Sequence, residues 1–191
     1  MCALARFAAL TGSSSARDAA RDAIAWERSA FSLPDRNWPA IRADGGTAIM
    51  TAWCHGAAGI AIGRAMIDDL LKDPGIREEI RQAVATTAAA GPARLDHLCC
   101  GTLARAEALL MAGLRLGRAE WVDAARSLAG PVADRLRRDG IAGARTAGFE
   151  YGLFQPGFFQ GVSGIGYQLL RLSQPALLPS VAGFEAPAWR P

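Results

Sequence analysis

No apolar run in the 191 residues approaches the roughly 20 needed to cross a bilayer, so a membrane span is excluded. The N-terminus lacks a basic leading segment and its apolar stretch is interrupted by Arg6, which argues against a secretion signal and places the chain in the cytoplasm. Charge of one sign is also scarce. The net +3 comes from 21 basic residues scattered among 18 acidic ones, and the one local basic cluster is Arg135, Arg137 and Arg138, too little for a nucleic-acid face. Alternating β-branched runs of useful length are missing, which removes sheet architectures. There are only four cysteines, and in a reducing compartment they point to metal binding or catalysis before disulfides.

What is present is helix. With 51% hydrophobic and 20% charged residues, the chain is long enough for one domain with a real core. Residues 3–10 read as the end of a helix stopped at Thr11-Gly12-Ser13. Ser15–Phe31 follows a serine cap and sets Ala19, Ala23, Ile24 and Trp26 at helical spacing. Residues 32–47 hold Pro34, Pro39 and Gly45-Gly46 and read as a loop. Ala57–Leu71 pairs with Gly75–Ala90 across Asp73-Pro74-Gly75, and Thr102–Leu116 pairs with Arg118–Arg138. Residues 139–160 are glycine- and aromatic-rich without helical period, and Val162–Leu172 is a last apolar helix before a proline-containing tail. The fold class expected is all-α.

Three cysteines stand out by position. Cys54 in Trp-Cys-His-Gly and Cys99-Cys100 in Leu-Cys-Cys-Gly lie just ahead of Gly56 and Gly101, each at the start of an apolar helix. Helix N-termini favour the thiolate form that a metal needs. Three thiolates meeting at one point suit Zn²⁺ and leave a fourth position for a substrate, as in catalytic zinc sites. The competing reading makes them small buried hydrophobes; a Cys99–Cys100 disulfide would be strained. Cys2 reads as an ordinary helix residue. Trp26, Trp38 and Trp53 read as core, with a substrate platform as the alternative.

The glycines reveal a repeat. Trp53-Cys54-His55-Gly56-Ala57-Ala58-Gly59-Ile60, Leu98-Cys99-Cys100-Gly101-Thr102-Leu103-Ala104 and Phe158-Phe159-Gln160-Gly161-Val162-Ser163-Gly164-Ile165 superpose on their central glycines, which are 45 and 60 positions apart. Each copy opens an apolar helix, and a more polar helix follows the first two. Such a period means stacked helix pairs, in an open solenoid or in a closed toroid of inner and outer helices. In a toroid the glycine ends would gather at one rim and bring the residues before them together. Gly56, Gly59, Gly101, Gly161, Gly164 and Gly166 are then explained by close backbone packing where the inner helices begin.

These motifs resemble the cyclase domain of the LanC-like lanthionine synthetases. More narrowly they are similar to the C-terminal domain of the bifunctional class II (LanM-type) lanthipeptide synthetases, a likeness supported by Trp26-Glu27-Arg28-Ser29-Ala30-Phe31, Asn37-Trp38-Pro39-Ala40-Ile41-Arg42, Leu169-Leu170-Arg171-Leu172 and Leu178-Pro179-Ser180-Val181. The resemblance implies an (α/α) toroid of inner and outer helices holding Zn²⁺, with Cys54, Cys99 and Cys100 as ligands. It implies a precursor peptide as partner, whose cysteine thiol adds to dehydroalanine or dehydrobutyrine to give lanthionine or methyllanthionine. Many relatives have Cys-His-Gly at the second motif, so Cys100 places the chain with the three-cysteine subset. Three thiolates on Zn²⁺ carry a net charge of −1, which keeps an incoming sulfur nucleophilic.

The resemblance further implies that residues 1–191 are the C-terminal part of such a domain, about half a toroid. The upstream half, with its proton-transferring His-Gly motif, and the dehydratase domain are absent from the sequence in hand, and a separate chain carrying that half is a candidate partner. His55 is then the local candidate for acid–base catalysis, with a hydrogen-bonded shell role as its alternative; His97, beside Asp96, reads as a structural group that supports the ligands. A different class of answer is a non-catalytic zinc-bearing peptide-binding or scaffold module derived from a cyclase. A zinc prenyltransferase subunit fits less well, because its ligand set calls for Asp and His.

Overall fold

The computed structural model describes residues 1–186, and these form eight α-helices and one very short hairpin. The helices are α1 (Cys2–Thr11), α2 (Ser14–Ser29), α3 (Ala57–Ala65), α4 (Asp68–Leu71), α5 (Pro74–Ala89), α6 (Thr102–Leu116), α7 (Ala119–Asp139) and α8 (Val162–Ser173). Strands β1 (Ala40–Ile41) and β2 (Thr47–Ala48) pair antiparallel around Gly45-Gly46, inside the segment whose proline and glycine content predicts a loop. At two residues each they leave the all-α expectation intact. Local chemistry sets the boundaries. The Ser13 side chain accepts from the Ala16 N–H ahead of α2, and Asp73 accepts from the Gly75 N–H ahead of α5, where Pro74 fills the first turn. The last residues of the expected proline-containing tail, 187–191, lie outside the described residues.

The helices pack as inner and outer layers. α3 lies against α5 and α6 against α7, while α1 lies against α2. α3, α6 and α8 run side by side, and α1 joins them where Cys2 Sγ donates to the Gly63 carbonyl at 3.4 Å. This is the (α/α) arrangement that the repeat implies. α6 is buried at nearly every position from Thr102 to Gly113 because neighbours cover it on all sides.

Two local expectations change. Ala57–Leu71 is not one helix: the chain breaks at Met66-Ile67, both buried, between α3 and α4. The inward face of α2 is Ala16, Ala20 and Ile24, so of the expected stripe Ala19, Ala23, Ile24 and Trp26 only Ile24 is buried. The rotation has an electrostatic partner. Arg64 of α3 is fully buried and pairs with Glu27 of α2 at 2.6 Å and with Glu79 of α5, which also binds Arg28. Satisfying that buried guanidinium turns Glu27 and Arg28 inward. Trp26, next in line, is left 60% exposed and is not core, whereas Trp38 is buried against Phe31.

Candidate metal centre

The loops ahead of α3, α6 and α8 meet at one rim. The Trp53 N–H donates to the Cys99 carbonyl at 2.8 Å, and the Cys99 N–H donates to the Phe159 carbonyl at 2.9 Å, so the three repeat copies are joined by main-chain hydrogen bonds. Trp53 stacks on Phe159 with ring centroids 4.6 Å apart, and its Nε1 donates to the Ala182 carbonyl at 2.9 Å.

Glycine is required at these loops for two distinct reasons. Gly56 has φ +83°, and a Cβ there would lie 1.8 Å from the Met50 carbonyl oxygen. Gly59 and Gly164, equivalent in the repeat, each let the inner helix touch the carbonyl six residues earlier, where a Cβ would fall 2.2 Å from Trp53 O and 1.8 Å from Phe158 O. Gly166 faces open space, so the close-packing expectation does not hold for it.

The Cys54 loop is held by Asn37, which is buried. Its Oδ1 accepts from the Trp38 and Ala57 N–H groups, both at 2.8 Å, and its Nδ2 donates to the Met50 carbonyl at 3.1 Å. It therefore caps α3 from a distant loop. Arg105 of α6 adds a second tether, donating to the Thr51 carbonyl at 3.0 Å. Neither role is foreseen in the sequence reading. The sequence Asn37-Trp38-Pro39 is the one local signal for the first, and nothing local marks the second.

The three sulfurs come together as the motif spacing predicts. Cys54 Sγ lies 3.5 Å from Cys99 Sγ and 3.6 Å from Cys100 Sγ, and the latter two are 3.3 Å apart. All four cysteines are free thiols, and Cys2 lies elsewhere, on α1. A tetrahedral zinc with Zn–S bonds of about 2.3 Å has sulfurs about 3.8 Å apart. The observed spacings fall about 0.2–0.5 Å short of that edge, close enough that small side-chain rotations let the donor set hold a tetrahedral, thiolate-binding ion. No other group of three or more potential ligands occurs among the described residues. Loss of hydration, followed by the neighbouring thiols, pushes Cys100 well above the ordinary thiol range; burial likewise raises Cys54. Thiols so placed hold their protons until a cation replaces them.

The two histidines divide as residues of different kinds. His97 is buried, and its Nδ1 accepts from the Cys100 N–H at 3.3 Å, which fixes that nitrogen as unprotonated. Burial lowers its pKa, against the opposing charge of Asp96. Asp96 in turn is bound by Arg135 Nη2 at 2.5 and 2.6 Å and by the Arg145 N–H at 2.7 Å. His97 thus shapes the turn that presents Cys99 and Cys100. His55 is exposed and lines an open cleft together with Cys54, outside the sulfur triad.

This combination of repeated glycine loops and a rim of three thiols has a counterpart in sequence. The family model described as lanthionine synthetase C-like protein matches residues 1–182. The chain belongs to the lanthionine synthetase C-like family. No curated protein matches it. In this family member the match runs from α1 through the segment after α8, so it includes all three rim loops. No helix among the described residues is long and apolar enough to cross a membrane.

Proposed function

We propose that this lanthionine synthetase C-like chain is the C-terminal part of a zinc-dependent cyclase of the class II type, forming lanthionine and methyllanthionine in a dehydrated precursor peptide. The observation that carries the reading is the convergence of Cys54, Cys99 and Cys100 from two loops with spacings that suit a tetrahedral ion. These three residues would hold Zn²⁺. When bound, the ion supplies the positive charge that keeps a peptide thiol deprotonated near neutral pH.

The reaction joins sulfur to the β-carbon of a dehydroamino acid and then places a proton on its α-carbon. The protein's own tasks follow from that sequence of events. Three thiolates repel additional negative charge, so they leave the incoming sulfur electron-rich and reactive. His55, beside Cys54 on the open side of the cluster, is the group assigned to move the proton. His97 and Asp96 hold the Cys-Cys turn in shape.

The test uses the zinc-loaded chain with a dehydrated, cysteine-containing peptide, alone and with a separately expressed upstream half. Cyclisation is read as loss of alkylatable thiol without change in peptide mass, against the uncatalysed background. Ring formation that requires Cys54 supports the cyclase reading. Zinc-dependent peptide binding with no ring formation in either mixture would replace it with the scaffold reading.

A further inference from the structure

The cleft that holds Cys54 and His55 extends well past the sulfurs. Its volume is about 410 Å³, within the roughly 300–1,000 Å³ of sites that enclose a ligand group. Away from the cluster its wall is mostly apolar and is supplied by three separate elements: Trp26 on α2, Ile41 on β1, and Trp53 with Ile60 around the start of α3. Trp26 is 60% and Ile41 59% exposed. Large apolar side chains left in water on the wall of one concavity gain free energy when an apolar group covers them. One acidic side chain, Glu27, lines the same cleft, with Oε2 held by the buried Arg64.

Cys54 is a wall residue of the cleft and also a corner of the sulfur triangle. A peptide whose cysteine reaches the triangle therefore has its adjoining residues at the mouth of this cleft. The Glu27 carboxylate is already paired with Arg64, so the negative charge that faces a bound peptide is that of the thiolate cluster.

Resting on the reading that a peptide cysteine approaches Cys54, we propose that the cleft seats the residue flanking that cysteine. It selects a bulky apolar, above all aromatic, side chain through Trp26 and Ile41, and it rejects an acidic one. Stacking and area burial supply the attraction, and like-charge repulsion supplies the exclusion. Trp26 and Ile41 are specificity-determining residues, distinct from those that hold the ion.

The experiment uses the full chain loaded with Co²⁺ and short peptides with one cysteine preceded by Phe, Ala or Asp. Titrating the cobalt–thiolate absorption gives a Kd for each. The Phe peptide is expected to bind on the order of tenfold more tightly than the Ala peptide, and the Asp peptide more weakly than either. In Trp26→Ala and in Ile41→Ser, both changes at exposed positions, the Phe advantage should fall severalfold while cobalt content stays as it was. Equal Kd values for the Phe and Ala peptides, or a Phe advantage that survives in both variants, would overturn the assignment although the absorption still responds to thiol. Absorption unmoved by every peptide would instead remove the underlying reading of the cysteine site, and the cleft assignment with it.

Discussion

The main-chain N–H of Trp53 is 2.8 Å from the carbonyl oxygen of Cys99, a hydrogen bond between residues on two different loops that each carry a candidate ligand. With the Cys99 N–H on Phe159, it makes the position of the sulfurs a property of the backbone. Side-chain rotamers then need little adjustment to close on an ion, which is the preorganisation a reactive metal site depends on.

Asn37 is the group whose loss should loosen that arrangement most directly. Asn37→Ala leaves the Ala57 N–H and the Met50 carbonyl without their partner. A stability loss of about 1–3 kcal/mol is expected for buried groups so abandoned. Because the same loop carries Cys54, zinc affinity should fall about 10–100-fold, as for other groups that orient ligands. Denaturant melts and competition with a chromophoric chelator would measure the two effects. Loss of stability with unchanged zinc affinity would separate the clamp from the site.

The glycines give an internally controlled comparison. Gly59→Ala and Gly164→Ala each drive a methyl into a carbonyl oxygen of the preceding loop, so both should be strongly destabilising. Gly166→Ala meets nothing within 4 Å inside α8 and should be neutral or stabilising by about 0.5–1 kcal/mol. Thermal unfolding of the three variants side by side decides the matter, and equal effects would mean that the tight approach does not bear on stability.

The helices were legible because their period and punctuation are local. Thr102–Leu116 is recovered to the residue, and the glycine repeat foretells that Cys54, Cys99 and Cys100 meet. What escaped depends on distant partners. The rotation of α2 answers to Arg64, which is 37 positions from Glu27, and no hydropathy pattern in α2 carries that information. The exposure of Trp26 follows from the same cause. Asn37 caps a helix 20 positions away, where a sequence reading searches for caps only among adjacent residues.

A second buried ion pair joins two inner helices, α6 and α8. Glu107 of α6 and Arg171 of α8 are both buried, with Arg171 Nε 3.1 and 3.2 Å from the two carboxylate oxygens and Gln168 Nε2 at 2.5 Å from one of them. Arg171→Met should cost about 3–5 kcal/mol by stranding the carboxylate. Adding Glu107→Gln to that variant should recover much of the loss, since the stranded charge is gone. A double-mutant cycle by chemical denaturation would show it as strong coupling; simple additivity would mean that the pair contributes independently.

The sulfur cluster itself makes a prediction in protons. Cys54 and Cys100 are raised above the ordinary thiol range, so near neutral pH they are protonated in the metal-free protein, and each must give up its proton to bind an ion. Raised thiol pKa values mean that protons compete more strongly as pH falls. Zinc affinity should therefore drop with decreasing pH and rise as pH increases toward the thiol values. If both ligate, at least two protons should leave per zinc near pH 7, measured by calorimetry in buffers of different ionisation enthalpy. Cys100→His should lower that number by about one, because an imidazole is largely neutral at that pH and binds without losing a proton. Cys2→Ala, remote from the triangle, should leave the count unchanged. Release of only about one proton by the unmodified chain would be incompatible with a three-thiolate site, and would return at least one of these cysteines to the role of a small side chain.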